Sequence, residues 1–285
     1  MRTRSLLGIA IAVSLLAQQR EIWNAPQEPF RIYGDTYFVG THGLSSILIT
    51  SKTGHVLIDA ALPESVPQIA EHVKKLGFRV EDIKLILNSH AHYDHAGGIA
   101  KVQHLSGARV AASPWAAEVL RKGEVLRTDP QFGIIEPVDR VAPRIEILKD
   151  GETLHAGGVQ VTAHFTPGHT PGGTSWTWTS CEGSRCLNLV YADSMTPVSN
   201  DSFLFTRSKE YSTGVADFNR SFAFLEKTPC DILLTPHPDI SKLWEHLEQR
   251  STKPDAFVDA SACRALAASS RDALKKRLAR EAGSK

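Results

Sequence analysis

Residues 88–98 read Asn-Ser-His-Ala-His-Tyr-Asp-His-Ala-Gly-Gly, which places three histidines and one aspartate within six positions. Neutral imidazole and carboxylate are common ligands of zinc, and such a set needs no sulfur. The stretch follows Lys84-Leu85-Ile86-Leu87, a short apolar segment that predicts a buried strand, and a helical pattern comes after Gly97-Gly98. We therefore expect the ligands in the loop that leaves the end of a strand, where α/β folds commonly place their sites.

The spacing within this stretch predicts two groups of ligands. His90 and His92 lie two residues apart, so in an extended loop both side chains point to one side. Asp94 and His95 are neighbours where the chain turns into a helix, and neighbours there point in different directions. Two groups suit two metal ions a few ångströms apart, as two-metal hydrolases require. A histidine-rich surface loop is the alternative, which the preceding apolar strand disfavours.

Two further histidines follow predicted strands elsewhere in the chain. His169 lies in Thr166–Gly172, directly after a strand that ends at Phe165, and His237 lies in Leu234–Pro238, after the last strand. Proline and glycine on both sides fix each loop, as a ligand that must be aimed accurately requires. Together with the cluster at residues 90–95, they are expected to complete the set of metal ligands.

The composition limits the classes of function. With 285 residues, 42% of them hydrophobic, the chain can bury one large core, and no internal repeat is visible. The net charge of +1 gives no sign of a nucleic acid or an anionic surface as a partner. We expect residues 18–285 to form a single domain that works as a monomer.

Residues 1–17 have the pattern of a secretory signal peptide. Arg2 and Arg4 precede the apolar stretch Leu6–Ala17, whose 12 residues are too few to span a bilayer as a helix. Small residues at the end of this stretch suit cleavage. We expect export to the periplasm and no membrane contact of the mature protein; a membrane anchor is the alternative.

Four cysteines fit an exported chain, because disulfides persist in oxidising compartments, and four cysteines allow three pairings. Cys181 and Cys186 flank a turn-like tetrapeptide, so a local disulfide is expected there. Cys230 and Cys263 would then form the second disulfide, between the start of a strand and the C-terminal helix. A zinc–thiolate site is the alternative, although no pair has the Cys-x-x-Cys spacing of a structural zinc site.

Short β-rich runs and helical periodicity alternate along the chain. Residues 30–60 predict antiparallel strands, 63–76 a helix and 108–112 another strand. The second half begins again with strands from Arg144 and ends in helices. Residues 122–143 lack periodicity and predict a long loop that borders the site. The periodicity alone predicts only an α/β fold.

The motif at residues 90–95 resembles that of the metallo-β-lactamase superfamily. The resemblance covers about residues 30–275 and includes three more stretches, which are His169-Thr170-Pro171-Gly172, Trp176-Thr177-Trp178 and Pro229–Pro238. It implies an αββα sandwich, that is, two mixed β-sheets flanked by helices. It also implies subclass B3, because Ser194 stands where the first two subclasses have a cysteine ligand, and B3 enzymes use a histidine instead.

The resemblance also assigns roles to individual residues. The ligands that it implies are His90, His92 and His169 for one zinc ion and Asp94, His95 and His237 for the other. Ser194 and Thr196 lie two residues apart, and their hydroxyls would bind the carboxylate of the substrate. Asp59, at the end of a predicted strand, would lie beneath the metal loop and act as the hydrogen-bond partner of a ligand histidine.

The implied activity is zinc-dependent hydrolysis of the amide bond in β-lactam antibiotics. Two zinc ions would share a water whose pKa falls to near neutrality, which gives hydroxide at working pH. One ion would polarise the carbonyl oxygen that the hydroxide attacks. The other, bound by Asp94, would stabilise the departing nitrogen, while Ser194 would bind the substrate. Asp94 and Ser194 are therefore the expected catalytic residues. No covalent acyl-enzyme is expected.

The nearest alternative is a lactonase or a glyoxalase-II-like thioesterase of the same superfamily. Those enzymes carry an aspartate that bridges the two metals, and Asp193 is one residue from that place. A one-residue shift turns a strand side chain to the opposite face, so the register of Asp193 and Ser194 decides between the activities. A zinc-binding module without catalysis is a different class of alternative, and it predicts a site closed by protein ligands.

Overall fold

The computed structural model describes residues 18–141 and 144–283. The signal peptide expected at residues 1–17 lies outside the described residues. Helical residues 18–23 (α1) open the described part of the chain. None of the helices within these ranges is long and apolar enough to cross a membrane.

Seven strands form the first sheet, in the order β1-β2-β3-β4-β5-β6-β7. They are β1 (Phe30–Tyr33), β2 (Thr36–Phe38), β3 (Ile47–Ile49), β4 (His55–Ile58), β5 (Ile83–Leu87), β6 (Arg109–Ala112) and β7 (Ile145–Ile147). Neighbours from β1 to β4 pair antiparallel, and neighbours from β4 to β7 pair parallel. The pairing changes from antiparallel to parallel at β4. Parallel neighbours need a crossover connection between them, and helices supply these connections here. Those helices are α2 (Val66–Lys75), α3 (Tyr93–Ala96), α4 (Ile99–Ser106) and α5 (Pro114–Lys122).

Five strands form the second sheet, in the order β12-β11-β10-β9-β8. They are β8 (Thr153–Ala156), β9 (Val159–Phe165), β10 (Thr174–Glu182), β11 (Arg185–Tyr191) and β12 (Ile232–Leu234). All neighbours pair antiparallel except β11 and β12, which are parallel and joined through a helix. The helices of this half are α6 (Gly214–Lys227), α7 (Leu243–Gln249) and α8 (Ala262–Gly283), and short 3-10 turns lie at Pro63–Ser65, Val80–Asp82 and Pro238–Ser241.

The side chains of alternate residues sort the core into layers. In β3, Ile47 and Ile49 join the core between the two sheets, whereas Leu48 faces α2 to α5 on the outside of the first sheet. This is the period of two that a strand buried on both faces requires. In the second sheet, Val190 and Leu233 likewise face outward to α6 and α8. The order helix, sheet, sheet, helix confirms the predicted αββα sandwich.

Disulfides connect elements of the second half. Cys181 is bonded to Cys186 across the β10–β11 hairpin, where the two residues are direct cross-strand partners. Cys230, just before β12, is bonded to Cys263 near the start of α8. The second bond ties the outer helix to the sheet from which a candidate ligand loop emerges.

Four loops meet at one edge of the sandwich, and they follow β5, β9, β11 and β12. Thr174 at the start of β10 donates its backbone N–H to the carbonyl of Ser89, at a distance of 2.8 Å. Ser45 donates to the carbonyl of Pro236 at the same distance. These bonds join the two sheets at this edge, so residues far apart in sequence come together there.

Candidate metal centre

The loop after β5 is fixed from below by a fully buried carboxylate. Asp59 lies in the left-handed region, with a φ of 58°, which aims its side chain at this loop. Its two oxygens accept hydrogen bonds from the backbone N–H and the hydroxyl of Ser89, each at 2.7 Å, and from the hydroxyl of Tyr191 at 2.7 Å. Asp59 was expected to be the direct partner of a ligand histidine. The structure instead has it hold the residue before His90, because its two oxygens are taken by Ser89 and Tyr191.

His90, His92 and His169 form one group, whose potential ligand atoms all lie within 4.8 Å of one another. All three side chains are buried. Each ring has one nitrogen held by an oxygen acceptor, and the bonds are His90 Nδ1 to Asp193 Oδ1 (2.8 Å), His92 Nε2 to Asp129 Oδ2 (2.9 Å) and His169 Nδ1 to the carbonyl of Thr196 (2.8 Å). The acceptors fix which nitrogen of each ring remains for a metal.

A second group shares His90 and adds Asp94 and His95, again within 4.8 Å. Asp94 and His95 belong to the short helix α3, which begins directly after His92, and this turn points them away from His92. Asp94 Oδ2 lies 3.1 Å from His95 Nε2 and 3.5 Å from His237 Nε2. The structure thus brings all six predicted ligands to one place, with His237 at the margin and its side chain 33% exposed.

The electrostatics of the centre favour neutral His90 and His169 and an ionised Asp94. Burial, with the neighbouring imidazoles, lowers the pKa of His169 from 6.5 to about 3 and holds the pKa of His90 well below its usual value. Burial opposes the ionisation of Asp94, but His95 and His237 outweigh it and keep the pKa of Asp94 well below its usual range. Burial opposes the charge of His92 as well, but Asp129 outweighs it and raises the pKa of His92. Neutral His90 and His169 beside an ionised Asp94 have the protonation states that metal binding requires.

A buried ring nitrogen without a hydrogen-bond partner shows whether a metal ion would fit this site. His90 Nε2 has no hydrogen-bond partner among the described residues, while the other nitrogen of that ring is taken by Asp193. A buried polar atom left unpaired costs about 1–3 kcal/mol, and a cation at this position would remove that cost. The donors are imidazole nitrogens and one carboxylate, which is a set typical of zinc. The residues present therefore fit a zinc site.

Asp193 and Ser194, in the loop after β11, differ in burial. Asp193 is fully buried, and it lies behind His90 on the side away from the free Nε2. Gly173 leaves room for this carboxylate, because a Cβ there would lie 2.2 Å from Asp193 Oδ2. Ser194 and Thr196 are half-buried and flank the buried Met195.

Residues of three other segments border the centre. The ring of Trp23 lies 5.8 Å from that of His237 and 5.9 Å from that of Tyr93. Gln131 Nε2 lies 3.3 Å from His169 Nε2. Asp129 and Gln131 lie in the aperiodic loop and belong to no sequence motif; the expected proximity of this loop to the site is the only signal that points to them.

Comparisons with known proteins agree on one family. Residues 39–182 match the model of the metallo-beta-lactamase superfamily. The chain is similar to MEM-A1, a subclass B3 metallo-beta-lactamase isolated from a soil metagenome library, with 46% identity and a TM-score of 0.90 over 92% of this chain and 100% of that one. It is also similar to the Rm3 metallo-beta-lactamase, with 54% identity and a TM-score of 0.90 over 92% of this chain and 97% of that one.

Among curated relatives, the chain matches an N-acyl homoserine lactonase of Bacillus cereus with 26% identity over 152 residues. That match covers 44% of this chain and 54% of the lactonase. The chain therefore spans about half the length of this relative, whereas it covers the solved B3 structures almost completely.

Proposed function

This chain belongs to the metallo-beta-lactamase superfamily, and from that premise we propose that it hydrolyses the amide bond of β-lactam antibiotics at a zinc centre, as a subclass B3 enzyme. The observation that carries the proposal is the orientation of Asp193. Its carboxylate is turned into His90 Nδ1, behind the first group of ligands, and is not aimed between the two groups. A carboxylate turned this way does not act as the bridging aspartate of lactonases and thioesterases, which supports the β-lactamase activity.

We assign one zinc ion to His90, His92 and His169 and a second to Asp94, His95 and His237. When bound, zinc supplies a Lewis acid and a water that ionises near neutral pH. The residues around the ligands orient the imidazoles, through the buried acceptors at Asp193, Asp129 and the Thr196 carbonyl. Asp94 stays ionised, so one oxygen can bind a cation while the other accepts a hydrogen bond from a water molecule.

The mouth of the centre supplies the contacts for the substrate. The hydroxyls of Ser194 and Thr196 can donate hydrogen bonds to a carboxylate, and both residues are partly exposed. The ring of Trp23 packs 5.8 Å from that of His237 and covers part of this ligand, whose side chain stays one-third exposed. Attack by water instead of by a side chain leaves no acyl group on the protein.

A substrate panel tests the activity. Zinc-loaded protein is offered a chromogenic cephalosporin, an N-acyl homoserine lactone and a glutathione thioester under the same conditions. We expect turnover of the cephalosporin that greatly exceeds turnover of the other two. A lactonase is the second candidate, favoured by the similarity to the lactonase of Bacillus cereus. Efficient lactone hydrolysis without β-lactam turnover would establish that candidate and refute the proposal.

We further infer that the protein acts in the periplasm as a monomer. Two disulfides support an oxidising compartment, because they rarely persist in the cytosol. Cell fractionation and sedimentation of the purified protein test the two statements. Activity confined to the cytosol would contradict the first, and a concentration-independent dimer mass would contradict the second.

A further inference from the structure

The loop between α5 and β7 contributes one buried carboxylate to the metal centre. Asp129 is 1% exposed, although it lies in a segment without regular secondary structure. Its Oδ2 accepts a hydrogen bond from His92 Nε2 at 2.9 Å, and its Oδ1 accepts one from the backbone N–H of Gln131 at 2.8 Å. A buried carboxylate is costly unless its oxygens are paired, and here both are.

The bond to Asp129 gives His92 an orientation different from that of its two neighbours. His90 and His169 are both held through Nδ1 by an oxygen acceptor, so Nε2 is the nitrogen of each ring that faces the metal position, where Gln131 Nε2 lies 3.3 Å from His169 Nε2. His92 is held through Nε2, so Nδ1 is left. Nδ1 is bonded to Cγ, the ring carbon that is attached to Cβ, so it lies nearer to the backbone than Nε2 does. Binding through Nδ1 therefore suits a residue whose backbone lies close to the ion.

The loop that carries Asp129 is itself fixed on both sides of this residue. Asn200 donates from its backbone N–H to the carbonyl of Pro130 and from Nδ2 to the carbonyl of Phe132, each at 2.9 Å. The indole N–H of Trp115 donates to the hydroxyl of Thr128 at 2.8 Å. Residues on both sides of Asp129 are therefore anchored to α5 and to the segment after β11, so the carboxylate has a defined position.

We propose that Asp129 is a positioning residue of the metal centre, which fixes His92 with its proton on Nε2 and its Nδ1 toward the ion. The inference rests on the zinc-binding part of the proposed function and not on the identity of the substrate. Loss of such a hydrogen bond to a ligand histidine typically weakens metal binding about 10- to 100-fold. Without Asp129, the His92 ring is free to turn or to move its proton to the nitrogen that must bind.

Zinc affinity measured by competition with a chromophoric chelator tests the proposal. We expect Asp129→Ala to bind zinc about 10- to 100-fold more weakly than wild type. Asp129→Asn should lie between the two, because one amide oxygen cannot serve both His92 and the Gln131 N–H. Asp139→Asn, which alters an exposed carboxylate of the same loop, is the matched control and should bind as wild type does. Wild-type affinity in Asp129→Ala would overturn the proposal.

Two further measurements separate positioning from a purely structural role. Urea unfolding of the zinc-free variants reports fold stability; a loss of stability with unchanged zinc affinity would overturn the inference. The ring ¹⁵N shifts of His92 in zinc-loaded wild type need no variant, and we expect a protonated Nε2. A metal-bound Nε2 would overturn the inference alone, whereas wild type that binds no zinc would overturn the proposed function with it.

Discussion

Replacement of Asp193 by alanine removes the acceptor that holds His90 through Nδ1. Both side chains are fully buried, and the Nδ1–Oδ1 distance is 2.8 Å. In the zinc-bound form the Nδ1–H would be left unpaired, at a cost of about 1–3 kcal/mol. The zinc-free ring can avoid that cost by moving its proton. Since about 1.4 kcal/mol corresponds to a factor of ten, we expect zinc affinity to fall roughly 5- to 150-fold.

Asp193→Asn is the matched variant, because it keeps an oxygen acceptor in the same place. Burial raises the pKa of Asp193 well above its usual value, and an amide at this position carries no charge that burial would oppose. We expect Asp193→Asn to bind zinc more tightly than Asp193→Ala, with two zinc ions per chain in both at saturation.

The assay is chelator competition combined with the zinc content of dialysed protein. If Asp193 were a bridging ligand, as in lactonases, an amide would not replace it. Both variants would then lose affinity equally and hold one zinc ion fewer at saturation. That pair of results would refute the reasoning from the hydrogen bond and would favour the lactonase alternative.

Three further predictions concern stability and the mouth of the site. Replacing Cys230 and Cys263 with serine should lower the free energy of unfolding by about 4 kcal/mol, from the loss of a 33-residue cross-link, and an unchanged urea midpoint would contradict this. The pKa of His169 falls from 6.5 to about 3 on folding, so its contribution to stability is present above pH 6.5 and is lost as the pH falls toward 3. Urea midpoints of zinc-free protein that do not change across this range would speak against that shift. Trp23→Ala should lower kcat/KM for a chromogenic cephalosporin about 2- to 10-fold through lost contact with His237, whereas Trp23→Phe should retain most of it.

The order of strands and helices was largely predictable from local patterns, but their arrangement was not. The short apolar run of β3 and the periodicity of α2 and α6 are visible in the sequence because each element carries its own signal. The four residues of β8 were missed, since so short a run becomes a strand only through its pairing with β9. The sandwich came from the resemblance to a family, because periodicity does not say which faces meet.

The candidate ligands could be identified from sequence because most of them are local. His90, His92, Asp94 and His95 occupy one short stretch, so their spacing carries the chemistry. The hydrogen-bond partners of these ligands, in contrast, are distant in sequence. Asp193 is 103 residues from His90, so the bond between them depends on the packing of one sheet on the other. The direction of its side chain depends on the register of β11, which no local pattern fixes.

Asp59 is a residue whose position can be predicted from sequence while its hydrogen-bond partner cannot. Its position at the end of β4, beneath the loop after β5, was anticipated correctly from the sequence and the family. Its bonding partner was not, because the hydroxyls of Ser89 and Tyr191 compete for the same two oxygens. A sequence can predict that a carboxylate lies near a ligand, but the choice among nearby donors is made by distances of less than an ångström.

The zinc content of purified protein, measured together with hydrolysis of a chromogenic cephalosporin, tests the central claim most directly. The account predicts two zinc ions per chain, turnover that disappears as a chelator removes them, and turnover that returns when zinc is added back. Active protein that contains no zinc, or turnover that persists after the metal is stripped, would contradict it.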